Sequence, residues 1–274
     1  MKKNRIAAAA LCAVMAGSGI FALGTPVYAD WTKENGSTYY TDTQGQKATG
    51  FKEIDGSRYY FGKDGKMRKN WAVIGSKIYY FGSDGKMRTG KVTISDKNYE
   101  FSSKGALKID QGIKGFSWST TQQDLQKNAG KSALGFGPMI FTGTEYSSTV
   151  YMFDSKGKPF ICFKALDNPK GISYFKKALK KEGFKYTGKE NIDGTTAYIY
   201  KKGGNIALVA EEGGHSTAIY LSPELSLVCA SKGFDSLQAE MEKYLAEFDW
   251  ESALSGVDLS NVDLSGVNIN MPKF

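Results

Sequence analysis

The 274-residue sequence predicts two unlike folded parts behind a leader: a β-hairpin solenoid of about four units, then a compact antiparallel α+β domain with a short periodic tail. Three observations predict this. Tyr-Tyr pairs recur every twenty residues through the first half. Glycine is abundant (32), Tyr and Phe number 16 each, and there are only 6 prolines, which favours many turns joining short strands over a helical bundle. Beyond residue 109 the period stops, and blocks of strand-like and helix-like sequence follow.

Residues 1–29 read as a secretory signal peptide. Lys2, Lys3 and Arg5 form a cationic start, Ile6 to Val14 is apolar, and Val27-Tyr28-Ala29 is a small-x-small cleavage site. The mature chain is expected to begin at Asp30. Removing three cations lowers the formal net charge from +8 to +5. The remaining lysines are scattered without an arginine cluster, which speaks against nucleic acid and for a mildly basic exported protein. No later stretch has the roughly 20 apolar residues of a spanning helix.

The segment 30–108 is the repeat. Tyr39-Tyr40, Tyr59-Tyr60 and Tyr79-Tyr80 are followed by Tyr99-Glu100, and Gly45, Gly65, Gly85 and Gly105 keep the same step. The units run Trp31–Gly50, Phe51–Asn70, Trp71–Gly90 and a degraded Lys91–Lys108. A fixed short period means a stacked array in which no unit buries its apolar face alone. Each unit reads as a hairpin, with turns at Asp55-Gly56 and Gly75-Ser76 and second turns at Asp64-Gly65 and Asp84-Gly85. Adjacent tyrosines must face opposite sides of a strand, so one packs between hairpins while its neighbour faces out.

The pattern Gly-x-x-Tyr-Tyr-Phe-x-x-Asp-Gly-x-Met-x-x-Gly-Trp is nearly whole in Gly56–Trp71 and again in Gly75–Gly90. It resembles the cell-wall-binding repeats, also called choline-binding repeats, and the related glucan-binding and clostridial-toxin repeats. The resemblance implies a hairpin solenoid on an exported surface protein. It also implies sites between hairpins where aromatic rings and a Met cage choline or stack on a sugar. The Trp that usually precedes Tyr-Tyr is replaced by Thr38, Arg58, Ile78 and Asn98, and Lys91 replaces the unit-opening ring after the third unit. The fullest expected set is therefore Tyr59, Tyr60, Met67 and Trp71, with Trp71 as the principal face. Tyr39, Tyr40, Phe51, Tyr79, Tyr80 and Met87 are secondary candidates.

Residues 109–250 read as an α+β domain. Gly112 and Gly115 mark a linker, and Thr120 with Gln123 makes a capping box for a short helix through Leu125. Strands are expected at 138–142, 148–153, 159–166, 195–200, 206–210 and 217–221. A helix bears Ile172, Phe175, Ala178 and Leu179 on one face and ends at Gly183. A last helix begins at Asp235, with Leu237, Met241, Tyr244, Leu245 and Phe248 inward. The stretch from Gly115 to Thr120 faintly resembles the helix start of small exported α/β domains and implies no functional residue.

Candidate chemistry is sparse. The single histidine, His215, follows Glu211-Glu212-Gly213-Gly214 and reads as part of a solvated turn. No Gly-x-Ser-x-Gly elbow is present. A carboxylate pair would require Asp154, Asp193, Glu211 or Glu212 to converge in space. Cys162 and Cys229 are the mature cysteines, open to a disulfide in an exported chain or to burial as two small hydrophobes. Residues 251–274 carry Leu254, Leu259, Leu264 and Ile269 at a five-residue spacing and resemble pentapeptide repeats over 253–270. The expected function is secreted, non-catalytic binding of a cell-wall polymer, choline-bearing or another glycan, through the stacked repeats, with residues 109–250 as a second binding or interaction domain and without cofactor or metal. The alternatives are a secreted hydrolase using the solenoid for targeting and an adhesive or toxin-like protein.

Overall fold

The computed structural model describes residues 29–192 and 194–247. The expected leader as far as residue 28, Asp193, Phe248 and the periodic tail lie outside the described residues.

Four hairpins open the structure, each with two five-residue strands: β1 (Asp30–Glu34) with β2 (Ser37–Thr41), β3 (Gly50–Ile54) with β4 (Ser57–Phe61), β5 (Asn70–Ile74) with β6 (Lys77–Phe81), and β7 (Gly90–Ile94) with β8 (Lys97–Phe101). Their turns demand left-handed backbone. Asn35-Gly36 and Asp55-Gly56 have positive φ at both positions, as does Ser95-Asp96, where no glycine is available. Asn70 stands where the repeat pattern expects glycine, and at φ 60° it uses the left-handed tolerance of asparagine.

Successive hairpins are stitched by one recurring bond. The amides of Met67, Met87 and Leu107 donate to the carbonyls of Thr38, Arg58 and Ile78 at 2.7–2.8 Å. Met67 lies flat on Gly85 and Met87 on Gly105, so closely that a Cβ at either glycine would meet the thioether at 2.3–2.4 Å. The second turns of the third and fourth units therefore need glycine twice over, for its φ and for its missing side chain.

The second part is one eight-stranded antiparallel sheet in the order β13-β14-β15-β16-β12-β11-β10-β9. Its strands are β9 (Leu134–Phe136), β10 (Met139–Thr144), β11 (Ser147–Phe153), β12 (Pro159–Asp167), β13 (Lys185–Ile192), β14 (Thr195–Lys202), β15 (Asn205–Glu212) and β16 (His215–Leu221). Four α-helices accompany it: α1 (Gln122–Ala129), α2 (Gly171–Lys181), α3 (Pro223–Lys232) and α4 (Ser236–Ala246). Antiparallel pairing throughout agrees with the sequence expectation, and the six expected strands and the helix at α2 are present. Two details differ. The cap of α1 is Thr121, whose hydroxyl accepts from the Asp124 amide, not Thr120 with Gln123. Strands β9 and β13 and helix α3 are additional to the expected elements.

Strand alternation splits the sheet into two apolar faces. Ile161, Phe163, Ile219 and Leu221 join Leu225, Cys229, Leu237 and Met241 from α3 and α4. On the opposite face, Leu166, Val209 and Ala218 join Phe175 and Leu179 of α2 in a cluster that continues into Tyr99, Phe101 and Leu107 of the solenoid. Cys162 belongs to the face opposite α3, among Leu125, Ile140 and Tyr151. The disulfide reading is thereby corrected: the sheet separates Cys162 from Cys229, and both are buried free thiols.

The sheet part closes the end of the solenoid. Lys97 pairs with Asp167, Tyr99 donates to the Asp167 carbonyl at 3.5 Å, and Lys177 of α2 donates to the Val73 carbonyl at 2.9 Å. The Tyr146 ring sits 5.0 Å from that of Tyr99. An array of stacked units needs a distinct terminal cap, and the β10–β11 turn supplies it here.

Candidate ligand-binding junctions

Alternation along the Tyr-Tyr strands assigns each ring to a junction between hairpins. Tyr39, Tyr59, Tyr79 and Tyr99 are buried, whereas Tyr40, Tyr60 and Tyr80 are half-buried and lie directly across from Trp31, Phe51 and Trp71. Each unit-opening ring also meets the first tyrosine of the next unit. Trp31 lies 5.1 Å from Tyr40 and 4.9 Å from Tyr59, both edge-on. Phe51 lies 4.9 Å from Tyr60 and 5.2 Å from Tyr79, and Trp71 lies 4.9 Å from Tyr80 and 4.8 Å from Tyr99. Three junctions thus carry the same three-ring set. Edge-to-face contacts of this kind each add about 0.5–1.5 kcal/mol beyond area burial, so the rings are scaffold as well as surface.

The expected grouping needs correction. Tyr59, Tyr60, Met67 and Trp71 do not form one set, because consecutive tyrosines serve different junctions. Tyr59 and Met67 belong with Trp31 and Tyr40, while Tyr60 belongs with Phe51 and Tyr79. Trp71 closes the third junction with Tyr80 and Tyr99. Trp31, which the sequence reading does not single out, thus opens as complete a set as Trp71 does.

What separates the sets is the residue before Tyr-Tyr, which shares a face with the second tyrosine two positions on. At the second junction Arg58 places its guanidinium 4.6 Å from the Phe51 ring centroid, so a cation already faces that ring. At the third, Ile78 is fully buried, and Trp71 packs in the apolar cluster shared with the sheet part. At the first, Thr38 is small and half-buried, and among the described residues no cation lies over the rings of Trp31, Tyr40 and Tyr59. Tyr39 points away from this junction, under the Lys47 ammonium at 3.9 Å, and Lys47 is in turn paired with Glu34 at 2.6 Å. That hydrogen-bonded pair raises the Lys47 pKa. Met87 repeats the placement of Met67 one unit on.

The remaining candidates stay apart. His215 begins β16 beside the Gly213-Gly214 turn, with Nδ1 3.9 Å from an Asp167 carboxylate oxygen. Glu211 and Glu212 lie at the Asp167 end of the sheet, and Asp154 lies at the other end of β12, accepting from the amides of its own turn. These carboxylates do not converge. Burial pushes the Cys162 thiol up to about 12 and Cys229 up to about 11, which leaves neither as a nucleophile near neutral pH. Among the described residues, no three His, Cys, Asp or Glu side chains gather as metal ligands, and no helix is long and apolar enough to cross a membrane.

Residues 48–81 match the family model of the choline-binding repeat. The chain is a choline-binding-type repeat protein. The matched span of this repeat protein covers the second and third hairpins, including Phe51, Tyr60 and Tyr79. Similar solved structures include CbpJ from Streptococcus pneumoniae TIGR4, at 20% identity over 62% of this chain and 40% of that one, with a TM-score of 0.30. The choline-binding domain of Spr1274 from Streptococcus pneumoniae is 31% identical over 32% of this chain and 98% of that one, with a TM-score of 0.27. The multimodular pneumococcal cell wall endolysin from phage Cp-1, complexed with choline, is 16% identical over 48% of this chain and 36% of that one, with a TM-score of 0.29. The chain thus spans two fifths of the length of CbpJ. No curated protein sequence matches it.

Proposed function

We propose that the chain is an exported, non-catalytic surface protein that holds choline-bearing envelope polymer in the first hairpin junction. One observation carries the reading: Trp31, Tyr40 and Tyr59 form a three-ring set with Met67 in the same cluster and, among the described residues, no cation over the rings. A quaternary ammonium is attracted to such faces by about 0.5–2 kcal/mol per ring, and the thioether adds a polarisable apolar contact. The family match supports choline as the ligand class, and the cationic, then apolar, first residues support export. The second and third junctions contribute stacking more than ligand contact, because Arg58 and Ile78 occupy the corresponding positions.

The test is choline titration of the full mature chain, with Trp31→Ala and Trp71→Ala compared and folding followed by circular dichroism. Trp31→Ala is expected to weaken choline binding by about 5–30-fold. Trp71→Ala is expected to lower stability while choline affinity stays within about twofold. Absence of choline binding, or greater loss in folded Trp71→Ala than in Trp31→Ala, would overturn the assignment.

A further inference from the structure

The sheet part contains a cleft of about 530 Å³ that the solenoid reading does not use, a size within the usual range for small-ligand pockets of about 300–1,000 Å³. It opens between the loop that leads into α1 and the chain leaving α2. Its floor is a transverse row of the sheet, in which Tyr220, Cys162 and Tyr151 stand side by side on three neighbouring strands.

The two walls differ in chemistry. Phe116 and Trp118 form one, half-buried and braced edge-on at 5.2 Å, with Phe116 also 4.7 Å from Tyr151. These rings, at 76° to each other, brace one another and line the cleft as its apolar wall. The other wall holds Phe184, Glu182 and Lys202. The Tyr220 phenol donates to the Glu182 carboxylate at 3.3 Å, and Lys202 donates to the Glu182 carbonyl at 2.8 Å.

Charge selects the occupant. Lys164 and Lys202 both line the cleft, and among the described residues neither has a carboxylate within ion-pair distance. Their ammonium groups stand 5.5 Å from the Tyr220 ring and 5.9 Å from the Phe184 ring. A cationic ligand such as choline would compete with two resident cations for those faces, so this cleft is unlike the first junction. A sugar ring presents C–H groups for Phe116 and Trp118 and hydroxyls that can donate to Glu182. An acidic substituent on that sugar satisfies the lysines.

We propose that this cleft binds an acidic sugar unit, one bearing a carboxylate or phosphate, with Trp118 and Phe116 stacking on the ring and Lys164 and Lys202 engaging the anion. The site is independent of the choline reading and uses no residue of the hairpin junctions. It would give the protein a second, chemically different hold on glycan.

The test uses the full mature chain and saturation-transfer NMR, with glucuronic acid and glucose 6-phosphate as probes, glucose as the neutral control and choline as the competitor. Both or either acidic sugar should bind at least about fivefold more tightly than glucose, in a choline-insensitive manner. Response to one probe alone would assign the anion as carboxylate or phosphate. Lys164→Gln should erase the preference over glucose without changing the circular dichroism spectrum. Trp118→Ala should remove binding of the acidic sugars. No saturation by either acidic sugar, equal binding of glucose, displacement by choline, or an undiminished preference in folded Lys164→Gln would each overturn the proposal.

Discussion

The phenol of Tyr146 donates to the carbonyl of Lys108 at 2.5 Å and accepts from the amide of Glu100 at 3.4 Å. One side chain of the sheet part thereby satisfies two backbone groups at the end of the solenoid, in a place where a fifth hairpin would otherwise stack. Removing only the oxygen tests this cap. Tyr146→Phe keeps the ring against Tyr99 but leaves the part-buried Lys108 carbonyl without this donor, which should cost about 0.5–1.5 kcal/mol in urea unfolding. An unchanged midpoint would show that the cap is apolar packing alone.

Arg58 occupies the Phe51 face from within the protein. Replacing it by the residue found one unit earlier, as Arg58→Thr, should uncover Phe51, Tyr60 and Tyr79. Choline titration of this variant is expected to show a second site per chain, weaker than the first because phenylalanine is a poorer cation face than tryptophan. A stoichiometry that stays at one would mean that more than the guanidinium closes this junction.

Gly85 combines φ +78° with the Met67 thioether lying over it. Gly85→Ala should therefore destabilise by about 1–2 kcal/mol from backbone strain alone, with a further loss from displacing Met67. Pairing it with Met67→Ala separates the two causes. In a double-mutant cycle from thermal unfolding, the added loss should vanish when Met67 is already truncated and the backbone share should persist.

The buried thiols make stability sensitive to alkali. Burial raises the Cys162 thiol pKa to about 12, so the folded state favours the protonated thiol. The associated stability is complete below pH 9 and is lost as pH rises through 12. Iodoacetamide at pH 8 is expected to label neither Cys162 nor Cys229 until urea unfolds the chain, and urea midpoints should fall from pH 9 upward. Rapid labelling of Cys162 in the folded protein would contradict its burial.

The four hairpins are legible in the sequence because Tyr-Tyr and Gly recur at a spacing that only stacked identical units satisfy. Which tyrosine serves which junction is not legible. Alternation says that Tyr59 and Tyr60 face opposite ways, but only stacking order decides that Tyr59 looks back to Trp31 and Tyr60 forward to Phe81. The same ambiguity hides the role of Arg58, which reads as a missing aromatic until its guanidinium is seen over Phe51. In the second part, β13 escapes notice because Lys185–Ile192 is an exposed edge strand with a bulge at Tyr186–Gly188, so no apolar alternation marks it. Helix α3 is similarly silent: its sequence has little amphipathic pattern, although Ser222 caps it through the Leu225 amide and Pro223 opens it. The acidic-sugar cleft draws on the linker, the chain leaving α2 and five strands, and no local pattern announces residues so far apart.

The bonds from Met67, Met87 and Leu107 back to Thr38, Arg58 and Ile78 also bear on how such a chain can change over generations. Each unit recognises only its neighbours, and the interface with the sheet part involves the last two hairpins. Duplication or deletion of a whole twenty-residue block within the first two units would leave every remaining seam in register. Grip on a polymer can thus be tuned by copy number, while the domain at the other end diverges under separate selection.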